Sequence, residues 1–285
     1  MSQFADKRML VALAHPDDES FGMGGTLAYY AAQGVDVHLV CATRGEAGSV
    51  DPEFMEGYAS VAELREAELR CAAEQLGLSG LEFLDYRDSG MAGSKDNEHK
   101  QAFIQAPIDQ VVETLVGHIR RVKPQVVVTF DSTGGYHHPD HIHIHKAATL
   151  AFHAAGDAEA FAQMGALWQP EKLYYMALNR RRVRWLVRTM PLMGKDPRKL
   201  GRNKDIDLTV LARDADTPRH VSINYKSVQE RKEAADNCHA SQLSGGWPRN
   251  PITELYYRLF GRSNHYTRAF PETPDDYRAD DLFAD

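Results

Sequence analysis

Two short stretches carry side chains suited to hydrolytic metal chemistry. His15-Pro16-Asp17-Asp18-Glu19-Ser20 sets three carboxylates in a row beside an imidazole, and His137-His138-Pro139-Asp140-His141 gathers three imidazoles around a fourth carboxylate. Imidazole with carboxylate is the ligand set of a catalytic zinc, which takes three protein ligands and keeps one position open for water. Consecutive carboxylates repel one another unless a cation or strong donors offset them. One HPD sequence alone reads as a turn with a capping Asp; two, each behind a buried strand, read as a metal site. His141 and His145 lie one helical turn apart, so spacing admits either as a ligand. His137 and His143 read as surface or packing histidines.

The elements around these stretches place them together. Residues 9–14 form a continuous apolar run, the pattern of a strand buried on both faces. A helix is predicted over 24–33, ended by Gly34, and a second strand over 35–41. A strand–helix–strand unit needs a crossover and gives a parallel pair. Helices follow at 61–76 and 108–122, strands at 81–84 and 126–130, and a helix at 141–152. This alternation predicts an α/β, doubly wound, mostly parallel, Rossmann-like sheet with a less regular C-terminal segment. Ligands in such sheets bind at the carboxyl ends of the strands, where both stretches fall.

Residues 1–155 are read as the metal-binding catalytic core. Residues 156–285 are read as the rest of the same domain, completing the sheet and the substrate mouth. A strand at 173–178 and a helix at 227–240 stand out there, whereas a basic insert at about 179–218 resolves into no clear elements.

Gly22-Met23-Gly24-Gly25 invites a dinucleotide reading, but Leu27 breaks the GxGxxG spacing, and three acids before the glycines would repel a pyrophosphate. The 285 residues have a net charge of −7, which argues against general nucleic-acid binding. Residues 180–204 alone carry +9, leaving −16 elsewhere. The basic stretch reads as a solvated face, a contact in a homo-oligomer, or a collar for an anionic substrate. The tail after Pro271 is acidic and reads as solvated. Cys41, Cys71 and Cys238 are distant and odd in number, so each reads as a small buried residue rather than half of a disulfide. No apolar stretch is long enough to insert in a membrane, and a reducing cytoplasm is expected.

The two motifs, with Gly24-Gly25-Thr26-Leu27-Ala28, resemble the LmbE/PIG-L-like zinc N-deacetylases. Thr43 to Gly48, Leu64 to Leu69 and His239-Ala240-Ser241-Gln242 are similar too. Tyr86-Arg87-Asp88-Ser89-Gly90-Met91 resembles the branch that deacetylates the GlcNAc-inositol precursor of mycothiol. The resemblance covers about 8–155 well and 225–245 more thinly.

It implies His15, Asp18 and His141 as metal ligands and Asp17 as general base on a zinc-bound water. It further implies a charged His138 beside the carbonyl, oriented by Asp140, and Tyr136 polarising that carbonyl. Glu46, Arg65, Asp88 and His239 are implied at the substrate, an amino-sugar conjugate. Zn2+ is the expected cofactor, though His/Asp ligands also admit Fe2+. Rival readings are an amidase for thiol S-conjugates or other N-acyl sugars, and a non-catalytic metal-loaded sugar-binding protein.

Overall fold

The apolar runs become the centre of one sheet. In the computed structural model, which describes residues 4, 6–200, 204, 206–243 and 262–284, β1 (Arg8–Leu13) lies between β2 (Asp36–Thr43) and β4 (Val126–Thr129), parallel to both. Its residues from Met9 onward are buried on both faces, which is why it reads as unbroken hydrophobicity rather than alternation. β3 (Gly80–Tyr86) extends one edge and β5 (Lys172–Met176) the other, both parallel to their neighbours. With β6 (Val221–Asn224) and β7 (Ser263–Phe270), the order is β3-β2-β1-β4-β5-β7-β6. Chain direction across the sheet therefore reverses between β1 and β4, the switch point where a crevice opens at the carboxyl ends.

α1 (Asp18–Ala32), α2 (Val61–Leu76) and α8 (Gln229–Cys238) pack together, as do α3 (Ile108–Val122) and α5 (Pro139–Ala154). α4 (Gly134–His137) is a single turn before α5. The Rossmann-like, mostly parallel expectation matches this architecture.

The C-terminal part holds more order than its sequence shows. β7 (Ser263–Phe270) runs antiparallel to β5, and β6 (Val221–Asn224) antiparallel to β7. Neither was predicted, because β6 is four residues long and β7 mixes polar with apolar residues. The basic insert resolves into α6 (Arg180–Thr189) and α7 (Leu208–Leu211), although 201–203 and 205 lie outside the described residues.

α1 starts six residues before the predicted boundary. Asp18 and Glu19 fill its first turn, where carboxylates complement the positive end of the helix dipole.

Two expectations are corrected. The acidic tail is not wholly solvated: Leu282 is fully buried and Phe283 nearly so, and Tyr30 Oη donates to Asp281 at 2.8 Å. Cys71 and Cys238 form a disulfide, their Cα atoms 5.8 Å apart across 167 residues. No local spacing announces it; the packing of α2 on α8 creates it. Such bonds are rare in a reducing cytosol, so this one gives the expected compartment no support.

Candidate active site and metal centre

The first turn is folded on itself around a strained residue. Asp17 adopts φ 113°, outside the ordinary range for a non-glycine residue, a conformation that costs on the order of 1–3 kcal/mol and is kept where surroundings over-determine it. Here Glu19 Oε2 accepts the Asp17 N–H at 3.0 Å, and Asp18 Oδ2 accepts the His15 N–H at 2.8 Å. The second turn opens α5 with His138 as N-cap, its Nδ1 accepting the Asp140 N–H at 3.2 Å, and Pro139 following. Gly134 lies under it at φ 62°, where an added Cβ would come within 2.8 Å of His141 Cβ.

These turns meet at the β1/β4 switch point. His15 Nδ1 lies 3.1 Å from His141 Nε2, and Asp18 is 3.6 Å from the first and 3.3 Å from the second. The far nitrogen of each ring is already engaged. His15 Nε2 reaches Asp140 Oδ2 at 3.0 Å, and His141 Nδ1 reaches the Gly134 carbonyl at 3.1 Å.

In its neutral form, the form a metal ligates, a ring that donates at its far nitrogen has a lone pair at the near one. In that form two lone pairs face each other with a carboxylate alongside, an arrangement that suits a cation. His138 also belongs to the cluster, since the nitrogens of His15, His138 and His141 lie within 4.8 Å of one another, as do ligand atoms of His15, Asp88 and Asp140. The donor set fits a divalent metal. His145, the alternative ligand left open by spacing, instead reaches the Phe130 carbonyl at 2.8 Å.

Asp17 stands apart from the ligand atoms. Its Oδ2 accepts from Arg65 Nη2 at 2.9 Å, and the same guanidinium bonds the carbonyls of Pro16 and Gly45. Burial raises the Asp17 carboxyl to about 6, with Arg65 opposing and Asp18 adding to the rise. Arg65 also lines the cavity, but its hydrogen bonds serve the turn. Replacing it with methionine removes the charge that favours ionised Asp17. The acidic limb of the kcat/KM profile should then move to higher pH in Arg65→Met, and an unmoved limb would show that Asp17 does not govern it.

For His15, burial opposes the charged ring, but Asp88, Asp140 and Asp18 outweigh it and hold the pKa well above the usual value. For Asp18, burial is likewise overcome, by His141 and His15, and the carboxyl sits well below its ordinary range.

Other expected residues take different parts. Asp140, expected to orient His138, places its carboxylate on His15 and on the Ser89 N–H at 3.0 Å. His138 was expected charged, but burial and the adjacent His15 and His141 push its pKa down to about 2. Its Nδ1 accepts a backbone N–H, so the neutral ring carries its proton on Nε2. Tyr136 lines the cavity edge-on to His141, with ring centroids 4.9 Å apart, and burial raises its hydroxyl's pKa, so it stays a donor.

Asp88 lines the cavity, accepts from the Gly90 N–H at 2.8 Å and lies 3.5 Å from His15 Nε2. Glu46 accepts the Asp88 N–H at 3.0 Å and is not among the lining residues.

His239 is corrected as a substrate contact. It is fully buried behind the first turn, its Nε2 2.7 Å from Glu19 Oε1, and Glu19 is fully buried too. Burial disfavours both charges, yet each partner holds the other ionised. This pair, 220 residues apart, carries no sequence signal. Removing one member strands a buried charge, which typically costs about 3–5 kcal/mol. His239→Ala should lose stability of that order in urea denaturation, and Glu19→Gln in the same chain should restore part of it. Additive losses would show the two residues uncoupled.

The cavity in front of this cluster measures about 730 Å³, within the range of pockets that enclose drug-sized ligands.

A family model described as PIG-L: GlcNAc-PI de-N-acetylase matches residues 10–152. A 1D-myo-inositol 2-acetamido-2-deoxy-alpha-D-glucopyranoside deacetylase from Geodermatophilus obscurus is 34% identical, over 98% of this chain and 97% of that one. A protein of the same description from Thermobifida fusca is 35% identical, over 98% and 99%. Among solved structures, the N,N'-diacetylchitobiose deacetylase from Pyrococcus horikoshii is similar with a TM-score of 0.62 and 19% identity, covering 94% of this chain and 86% of that one. GalB of Pseudomonas putida, a 4-carboxy-2-hydroxymuconate hydratase, is similar at 0.57 and 21%, over 94% and 98%. The fold thus hosts more than one chemistry, and it is the sequence relatives that decide the family. The chain belongs to the PIG-L family, whose model is that of the GlcNAc-PI de-N-acetylase, an amide hydrolase.

Proposed function

We propose that this chain removes the N-acetyl group from an N-acetylglucosaminyl conjugate, with zinc held by His15, Asp18 and His141. The observation that carries the reading is the facing pair of imidazole nitrogens, His15 Nδ1 and His141 Nε2, beside Asp18, with the Asp17 carboxylate engaged by Arg65 instead. When bound there, a divalent cation supplies Lewis acidity and brings the pKa of water toward neutrality.

The chain's own groups do the rest. Asp17, ionised above about pH 6, takes a proton from the attacking water and can return it to the departing amine, since a carboxyl tuned upward works in both directions near neutral pH. His138 offers Nε2–H, and Tyr136 its hydroxyl, to the oxygen on which charge develops. Arg65 and Glu19 hold Asp17 in its strained turn throughout. Asp88, with backbone N–H groups fixing its oxygens, presents a carboxylate to sugar hydroxyls.

The curated relatives act on GlcNAc-inositol, which is the first substrate to try. No helix among the described residues is long and apolar enough to cross a membrane, and we take a small-molecule conjugate in the cytoplasm as the working setting. Zinc-loaded protein incubated with GlcNAc-inositol should release free amine. No release from it or any other N-acetylglucosaminide, with zinc or iron(II), would end the reading and leave a binding protein.

A further inference from the structure

The Asp17 turn is held from behind by two helices that are fastened to each other. α2 brings Arg65, which engages the Asp17 carboxylate and the Pro16 and Gly45 carbonyls. One turn on, Glu68 accepts the Ser241 N–H and hydroxyl, each at 2.8 Å. α8 ends at Cys238, and the next residue, His239, reaches Glu19, which in turn accepts the Asp17 N–H. Glu68, His239 and Ser241 are all buried, and Gln242 lines the cavity. The Cys71–Cys238 bond ties α2 to the residue immediately before His239.

The bond is also open to reagents. Cys71 is exposed and Cys238 half-buried, whereas Cys41 is fully buried with its Sγ directed at the Thr43 carbonyl. Exchange at a disulfide needs access by an attacking thiolate, so Cys71–Cys238 can be reduced in the folded protein while burial protects Cys41. A covalent tie limits how often a segment opens locally. Without it, residues 239–242 rely on the Glu19 and Glu68 contacts and on helix packing. Each opening removes support from Asp17, whose φ of 113° persists only while its surroundings over-determine it.

We infer that Cys71–Cys238 is a redox-sensitive clasp on the catalytic turn, holding the His239–Ser241 segment against Glu19 and Glu68 when formed and releasing it when reduced. The two cysteines are thus positioning residues, and turnover falls when the clasp opens. The inference rests on the deacetylase reading and concerns the regulation of that site. The reductant is a dithiol, small or carried by a protein. Its first thiolate attacks the exposed Cys71 sulfur and breaks the S–S bond, and its second resolves the mixed disulfide. Two electrons pass to the cysteines, both of which become thiols, and the dithiol leaves as its own disulfide.

Zinc-loaded enzyme is treated with a water-soluble phosphine, a reagent without thiols to compete for the metal. The phosphine takes oxygen from water to become its oxide as the disulfide becomes two thiols. Thiol titration should count two additional groups, and zinc content should stay unchanged. The value of kcat/KM should fall about 10- to 100-fold, the scale on which lost supporting contacts act at a site. Reoxidation by a small-molecule disulfide should restore it. Hydrogen exchange should rise at the 239–243 amides and not in β1 or β4. The Cys71→Ser/Cys238→Ser double variant should show the reduced enzyme's activity and respond to neither reagent. If that variant does not fold, the parent, already folded when reduced, gives the same reading. Unchanged kcat/KM in enzyme carrying the two new thiols overturns the clasp and leaves a bond that only stabilises. A thiol count unmoved by the phosphine, or exchange that rises evenly along the chain, overturns it as well. Absence of turnover before and after reduction removes the deacetylase reading instead, and exchange at 239–243 still decides the clasp.

Discussion

Asp17→Asn is expected to keep its metal and to lose about 10²- to 10⁴-fold in kcat, the usual range for removal of a positioned general base. Asparagine is the substitution to make, because Asp17 sits at φ 113° and Asn is among the few residues that tolerate positive φ. Alanine would add backbone strain to lost chemistry. The Asp17 carboxylate is engaged by Arg65 and does not take part in the His15–Asp18–His141 contacts, so metal content measured on the purified variant should match that of the parent. Full turnover in the variant would assign the proton to another group. Loss of metal would make Asp17 a ligand.

His141→Ala and His145→Ala should part company completely. His141 directs Nε2 at His15 and Asp18, is fully buried, and stacks on Phe130 with ring centroids 3.9 Å apart. Its loss opens the donor set, and metal affinity should fall by more than the 10- to 100-fold that removing an orienting partner of a ligand typically costs. Asp140→Asn is the matching reference for that smaller effect, since Asp140 holds His15 from behind. His145 bonds the Phe130 carbonyl and packs on Tyr175, ring centroids 4.6 Å apart, so His145→Ala should retain metal. Retention in His141→Ala with loss in His145→Ala would overturn the ligand set. Chelation followed by titration with zinc and iron(II) gives the affinities directly.

Some of this site was open to reading before any coordinates. Residue types at the two turns announce metal chemistry, and unbroken apolar runs before each announce central parallel strands. Together they locate both turns at carboxyl ends of strands, and the pairing of β1 with β4 makes those ends adjacent. The spacing of His141 and His145, by contrast, could not choose between them, because both lie on one face of a helix. The choice follows from which ring the Gly134 carbonyl meets and which the Phe130 carbonyl meets.

The resemblance implied a charged His138 oriented by Asp140. In the structure His138 Nδ1 accepts the Asp140 backbone N–H, and the Asp140 carboxylate reaches His15. A run of arginines signals charge, yet Arg180 and Arg184 pair with Asp214 and Asp216, while Arg182 lines the cavity.

Local sequence by itself determined the parallel centre of the sheet, the two turns and the kind of chemistry they support, because strand burial and ligand identity are properties of neighbouring residues. Tertiary structure alone decided the Glu19–His239 pair, the Cys71–Cys238 bond and the antiparallel end of the sheet. Each of those joins groups far apart along the chain, whose meeting depends on how helices and strands pack. No periodicity within a single segment records such packing.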